Sequence, residues 1–146
     1  MKNVIKVLSA VLCMVVIQCG VALAAPSAAA YSEIINSLPA VGQGVGSLPS
    51  FAQAYPPMGY GLPPQVIKGN YGGLEFMEAL EGGRVMQLQI KPEAGDTDTT
   101  SISGSIVSTL SAIYGSPITT EDGNYVWASW VAGSYSPRTG IISLQR

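Results

Sequence analysis

The sequence predicts an α+β fold: a small antiparallel sheet of about four strands with one helix packed across it, in the order β-β-α-β-β, preceded by a Pro/Gly-rich arm. Three observations carry this expectation. Residues 84–91 (RVMQLQIK) alternate apolar and polar side chains behind a Gly82-Gly83 pair suited to a tight turn. Residues 101–114 place Ile102, Ile106, Leu110 and Ile113 at helical spacing. Residues 125–131 (YVWASWV) are dense in the aromatic and branched side chains that favour strands.

In chain order, residues 1–24 read as a secretory signal peptide. Lys2 and Lys6 form a short positive region, residues 7–17 are an apolar run, and Ala22-Leu23-Ala24 has the small-x-small form of a cleavage site. A retained membrane span is the competing reading, but no positive cluster follows to arrest transfer, since the next basic residue is Lys68. No stable span is expected after cleavage. The expected destination is secreted or periplasmic. A lipid anchor on Cys19 is the minor alternative; the preceding Gln18 is neither small nor apolar, which matches that signal poorly.

Residues 25–65 are expected to form a short helix and a Pro/Gly-rich linker or packed arm. The helix is placed at 31–38 (YSEIINSL), with Ser32 as its N-cap and Pro39 closing it. From Pro39 to Gln65 there are 27 residues with six prolines, five glycines and no charge, a composition no central strand survives. A linker or an arm resting on the core through its tyrosines is one reading; an extended peptide that docks on a partner is the other.

Residues 66–146 form the expected compact domain. The first hairpin pairs 74–80 with 84–91 through Gly82-Gly83, with Met86, Leu88 and Ile90 on one face. Gly69-Asn70 reads as a turn. The helix over 101–114 takes its cap from Thr99, Thr100 or Ser101, has Asp96 and Asp98 near the positive end of its dipole, and stops at Gly115 and Pro117. After a turn at 121–124 comes the strand 125–131, then a loop over 132–140 and a last strand, 141–144.

Composition excludes several chemistries. The chain has 146 residues and no histidine, and both cysteines, Cys13 and Cys19, lie in the leader. The processed chain therefore lacks Ser-His-Asp and Cys-His machinery, redox dithiols and most zinc sites. Removing Lys2 and Lys6 leaves five basic against nine acidic residues, a net charge near −4 with no basic cluster, so nucleic acid is not an expected partner. Asp96, Asp98 and their neighbours fail the calcium-loop pattern at its glycine and its terminal glutamate. No catalytic residue, metal site or cofactor is assigned.

The cluster that stands out is aromatic: Tyr125, Trp127, Trp130 and Tyr135. It reads either as core or as a binding face. The expectation is a small exported, non-catalytic protein that binds another protein of the cell envelope or exterior through apolar and aromatic burial with edge-strand pairing. A second copy of the chain is a further candidate partner. The alternatives are a glycan- or cell-wall-binding module using the same rings, and a small hydrolase using carboxylates such as Glu75 with Glu78 or Glu81 with Glu93.

Overall fold

A computed structural model describes residues 25–146. The expected signal peptide, its expected cleavage site and both cysteines lie outside the described residues. The described chain forms one eight-stranded antiparallel sheet and two helices, which corrects the expected four strands and single helix. The elements are α1 (Ala28–Ser37), β1 (Ala52–Tyr55), β2 (Val66–Tyr71), β3 (Leu74–Glu81), β4 (Arg84–Pro92), a 3-10 turn (Thr100–Ile102), α2 (Ser103–Tyr114), β5 (Ile118–Thr119), β6 (Tyr125–Ala128), β7 (Ala132–Ser136) and β8 (Ile141–Gln145). Across the sheet they run β1-β2-β3-β4-β8-β7-β6-β5. Two four-strand meanders thus meet where β4 pairs with β8, and α2 lies in the connection between them.

The additional strands have physical causes. The Pro/Gly arm does contain a strand, but β1 is four residues long and lies at the sheet edge, the position proline-flanked segments tolerate. Gly69-Asn70 lies inside β2, because the turn is made two residues later by Gly72-Gly73. The β2–β3 and β3–β4 hairpins therefore each close on a Gly-Gly pair; at Gly82 and Gly83 φ is +59° and +77°, the mirror-image turn that matches strand twist. Residues 132–136, expected as loop, form β7 because β6 and β8 flank and pair with them. A Cβ at Gly133 would run into the Ser143 carbonyl oxygen, so this crossing admits no side chain.

The alternation in β4 is also broken. Ala79 faces Gln87 but Leu80 faces Val85, so Met86 is the extra residue of a bulge. Val85, expected on the face opposite Leu88, is consequently buried like it, while Met86 is only half-buried.

Helix α1 starts three residues earlier than expected. Ser27, not Ser32, is the N-cap, and its hydroxyl accepts the Ala30 N–H at 3.1 Å. The leading end of α2 carries no side-chain cap; Asp98 instead accepts the Thr100 N–H at 2.9 Å and starts the 3-10 turn.

Both helices cover one sheet face. Tyr31, Ile34, Ile35, Ile106 and Leu110 are buried against it, and Ser32 Oγ lies 3.0 Å from Thr109 Oγ1 where the helices touch. The register aligns two rows under them. One runs Ala54, Ile67, Glu78, Leu88, Leu144, Gly133 and Trp127; the other runs Ala52, Gly69, Phe76, Ile90, Ile142, Tyr135 and Tyr125. Residues 25–65 belong to this same body: Tyr31 is fully buried and its hydroxyl donates to the Gly140 carbonyl at 2.7 Å.

Candidate functional site

The four aromatic residues singled out by sequence do not form one surface. Trp127 is 2% exposed, and its indole N–H donates to the Gly115 carbonyl at 2.7 Å, just past the end of α2. Tyr135 is fully buried and shares a hydrogen bond with the Thr99 hydroxyl, which also donates to the Pro137 carbonyl at 2.8 Å. Burial pushes the Tyr135 hydroxyl above its usual range, and the Thr99 bond partly opposes the rise. Tyr125 is half-buried and stacks on Tyr135 with centroids 6.0 Å apart. Trp130 alone faces solvent. It lies in the β6–β7 turn, 52% exposed, with its ring 5.6 Å from that of Tyr114. A contact made by this fold has Trp130 to offer from that set, and not Trp127 or Tyr135.

The larger exposed apolar surface lies elsewhere, at the β1 edge. Tyr55, Met58, Tyr60 and Leu62 are 41%, 49%, 79% and 64% exposed. Tyr55 ends β1 and the other three follow it within the charge-free stretch, where paired prolines at 56–57 and 63–64 keep the backbone out of helix and ladder. A hollow of about 360 Å³ runs along the strand's free edge between Leu48, Ala54, Pro57 and Met58. The tyrosines were expected to rest on the core. Tyr55 instead donates its hydroxyl to Gln53 Oε1 at 2.8 Å and lies 4.6 Å under the Lys68 ammonium, while Tyr60 stands almost free. The signal in the sequence was the combination of four large apolar side chains with no charge and no regular period, a pattern that packs poorly as a core.

The uncovered sheet face continues this surface. A groove of about 570 Å³ is lined by Gln53, Tyr55, Lys68, Met77, Gln89 and the Glu75–Lys91 ion pair, which is 2.8 Å long and half-exposed. Asn70 Nδ2 donates to Glu93 Oε1 at 2.7 Å beside it.

The carboxylates are dispersed. Glu75 and Glu78 lie on opposite faces of β3, as alternation on a strand requires, and no cleft holds both. Glu81 and Glu93 are exposed. No group of three or more metal-ligating side chains occurs among the described residues.

Glu78 is unlike every other charged residue in the described chain. It is fully buried in the middle of the helix-covered face, and neither carboxylate oxygen has a hydrogen-bond partner among the described residues. Burial pushes its carboxyl up to about 8 from the ordinary 4.5. Tyr114, on α2, is raised as well, first by burial and further by the charge of Glu78, while the Val41 N–H that its hydroxyl accepts at 3.1 Å opposes the rise. Asp98 moves the other way, held below its usual range by the Thr100 hydroxyl and N–H.

No protein-family model matches the chain, no curated protein matches it in sequence, and no solved structure matches its fold.

Proposed function

We propose that this chain is a non-catalytic contact protein of the cell envelope or exterior. It holds a protein partner against the β1 edge and the loop that follows. The observation that carries this reading is the exposure of Tyr55 at the end of β1 and of Met58, Tyr60 and Leu62 in the uncharged loop that follows it at an open sheet edge. Several large exposed apolar side chains within one short stretch are a mark of interaction sites. An edge strand offers unpaired N–H and C=O groups to an added strand, and the neighbouring hollow takes alternate side chains of that strand. Absence of histidine from the whole sequence, and of cysteine after residue 19, supports contact over covalent work.

A glycan is the second reading, favoured by the groove on the uncovered face. Amides at Gln53 and Gln89, a carboxylate at Glu75 and the Tyr55 ring offer paired hydrogen bonds beside an apolar ring face.

The test is capture from a native envelope fraction by the processed chain, compared with the double variant Tyr60→Ser, Leu62→Ser. Both side chains are exposed, so the fold is expected to persist within roughly 0.5 kcal/mol. The expected outcome is one defined protein that, once purified, binds the natural chain and binds the double variant at least about tenfold more weakly, a loss of about 1.4 kcal/mol. Equal binding to both contradicts the proposed surface. Binding to a purified wall polysaccharide, lost on Gln89→Ala and kept by the double variant, selects the second reading.

A further inference from the structure

We propose that Glu78 is a proton-operated latch: neutral, it lets the end of α2 and the 39–45 segment close over the sheet, and ionised, it opens that end of the helix layer. The geometry begins with the register. Glu78 sits directly between Ile67 of β2 and Leu88 of β4, both buried, with Phe76 preceding it on the same face of β3. The side chains flanking the carboxyl across the sheet are apolar on both sides. A carboxylate there is buried and has no donor among the described residues, so the proton stays on.

The surrounding elements supply no cation. β2 carries Lys68, β4 carries Arg84 and Lys91, and α1 carries Glu33, all at exposed positions; Lys91 is already paired with Glu75. β1, α2 and residues 39–45 carry no charged residue. The titratable group that feels Glu78 is the Tyr114 phenol.

Tyr114, which feels the charge of Glu78, ties the end of α2 to the 39–45 segment. Its hydroxyl accepts the Val41 N–H, and among the described residues its own hydrogen has no acceptor. Beyond Val41, the Gly42 N–H donates to the Val85 carbonyl at 2.7 Å, and the Val85 N–H donates to Gln43 at 2.9 Å, so the segment is laced to the start of β4. An ionised Glu78 needs a donor. The Tyr114 phenol O–H is uncommitted among the described residues, and turning it toward the carboxylate draws the Tyr114 oxygen away from Val41. Water entering from that end has the same effect. Both tryptophans report the event: Trp130 lies on the Tyr114 ring, and Trp127 is bonded to Gly115 at the end of α2.

The experiment follows the carboxyl of Glu78 by carbon NMR from pH 5 to 10, together with tryptophan emission and amide exchange at Val41 and Gly115. The expected result is a Glu78 midpoint near 8, with a reversible emission change at the same midpoint. Exchange at the two amides, corrected for its intrinsic pH dependence, rises about tenfold or more as local opening increases. Glu78→Gln and Glu78→Leu abolish the emission change; the second serves where the first does not fold. In Tyr114→Phe, Val41 exchanges fast already at pH 6 and no longer responds. A Glu78 midpoint in the ordinary carboxylate range overturns the proposal. So does an unchanged emission transition in Glu78→Leu, or a Glu78 titration that leaves both amides unaffected.

Discussion

Burial of one carboxyl, Glu78, makes folding sensitive to pH between about 4.5 and 8. Glu78 binds its proton more tightly in the folded than in the unfolded chain, because its pKa rises from 4.5 to about 8 on burial. Its contribution is therefore present in full below about pH 4.5 and is lost as pH climbs toward 8. At about 1.4 kcal/mol per unit, the ceiling is about 5 kcal/mol. Denaturant unfolding at pH 5 and pH 8.5 is expected to show natural protein losing roughly 2–5 kcal/mol across that interval, with Glu78→Leu losing little and surpassing it at the higher pH. Replacing an unpartnered buried charge by an apolar side chain of similar size removes the desolvation cost. Hydrogen-bonded core residues behave in the opposite sense. Trp127→Phe leaves the Gly115 carbonyl without its donor, and Thr99→Val strips the Pro137 carbonyl of its donor and the Tyr135 hydroxyl of its acceptor. Each is expected to cost about 1–3 kcal/mol in the same assay. At this scale much was legible: alternation through Leu74, Phe76 and Glu78 already puts the carboxyl with the apolar side chains. What sequence lacks is the second layer, since one strand's pattern does not show whether its apolar face is covered.

Among the elements, the legible ones carry their own signal. The β3–β4 hairpin is written in its Gly82-Gly83 turn, and α2 in Ile106, Leu110 and its terminal Gly115. The strands that escaped sequence reasoning borrow theirs from neighbours. β7 is Ala-Gly-Ser-Tyr-Ser, with little strand propensity, and pairs on both sides with strands that have more. β1 lies among prolines, and β2 contains the Gly69-Asn70 pair that reads as a turn. Two glycines separate these situations. At Gly133 a Cβ meets the backbone of Ser143, so Gly133→Ala is expected to destabilise by at least about 2 kcal/mol, as overpacking does. At Gly104, in the first turn of α2, a Cβ meets nothing within 4 Å. Gly104→Ala is expected to stabilise by about 0.5–1 kcal/mol through helix propensity. Thermal unfolding of the two variants beside the natural chain gives both signs in one comparison.

For the whole molecule, two meanders joined at β4 and β8 give one sheet with a covered face and an open one, and two unpaired edges of unequal length. β5 is too short to template a partner strand. β1 is longer, and it is flanked by the exposed loop. The candidate site was partly legible, because the uncharged stretch from Pro39 to Gln65 announces itself by composition. Its location was not, since placement of the arm depends on β1 pairing with β2 in a particular register. The aromatic cluster misdirected attention for a related reason: residue type shows affinity for apolar surroundings, and the fold determines whether those surroundings are its own core. Chromatography with light scattering is expected to show a monomer whose Tyr60 side stays open; a dimer lost on Tyr60→Ser would make a second copy the partner.

Site-specific photocrosslinking tests the claim of contact at the β1 edge most directly. A benzophenone side chain is placed at Tyr60 and, as control, at Ala112, an exposed position on α2 far along the chain. Irradiation in the native envelope fraction should give one discrete protein adduct from position 60 and none from position 112. Adducts from position 112 with none from position 60 would contradict it.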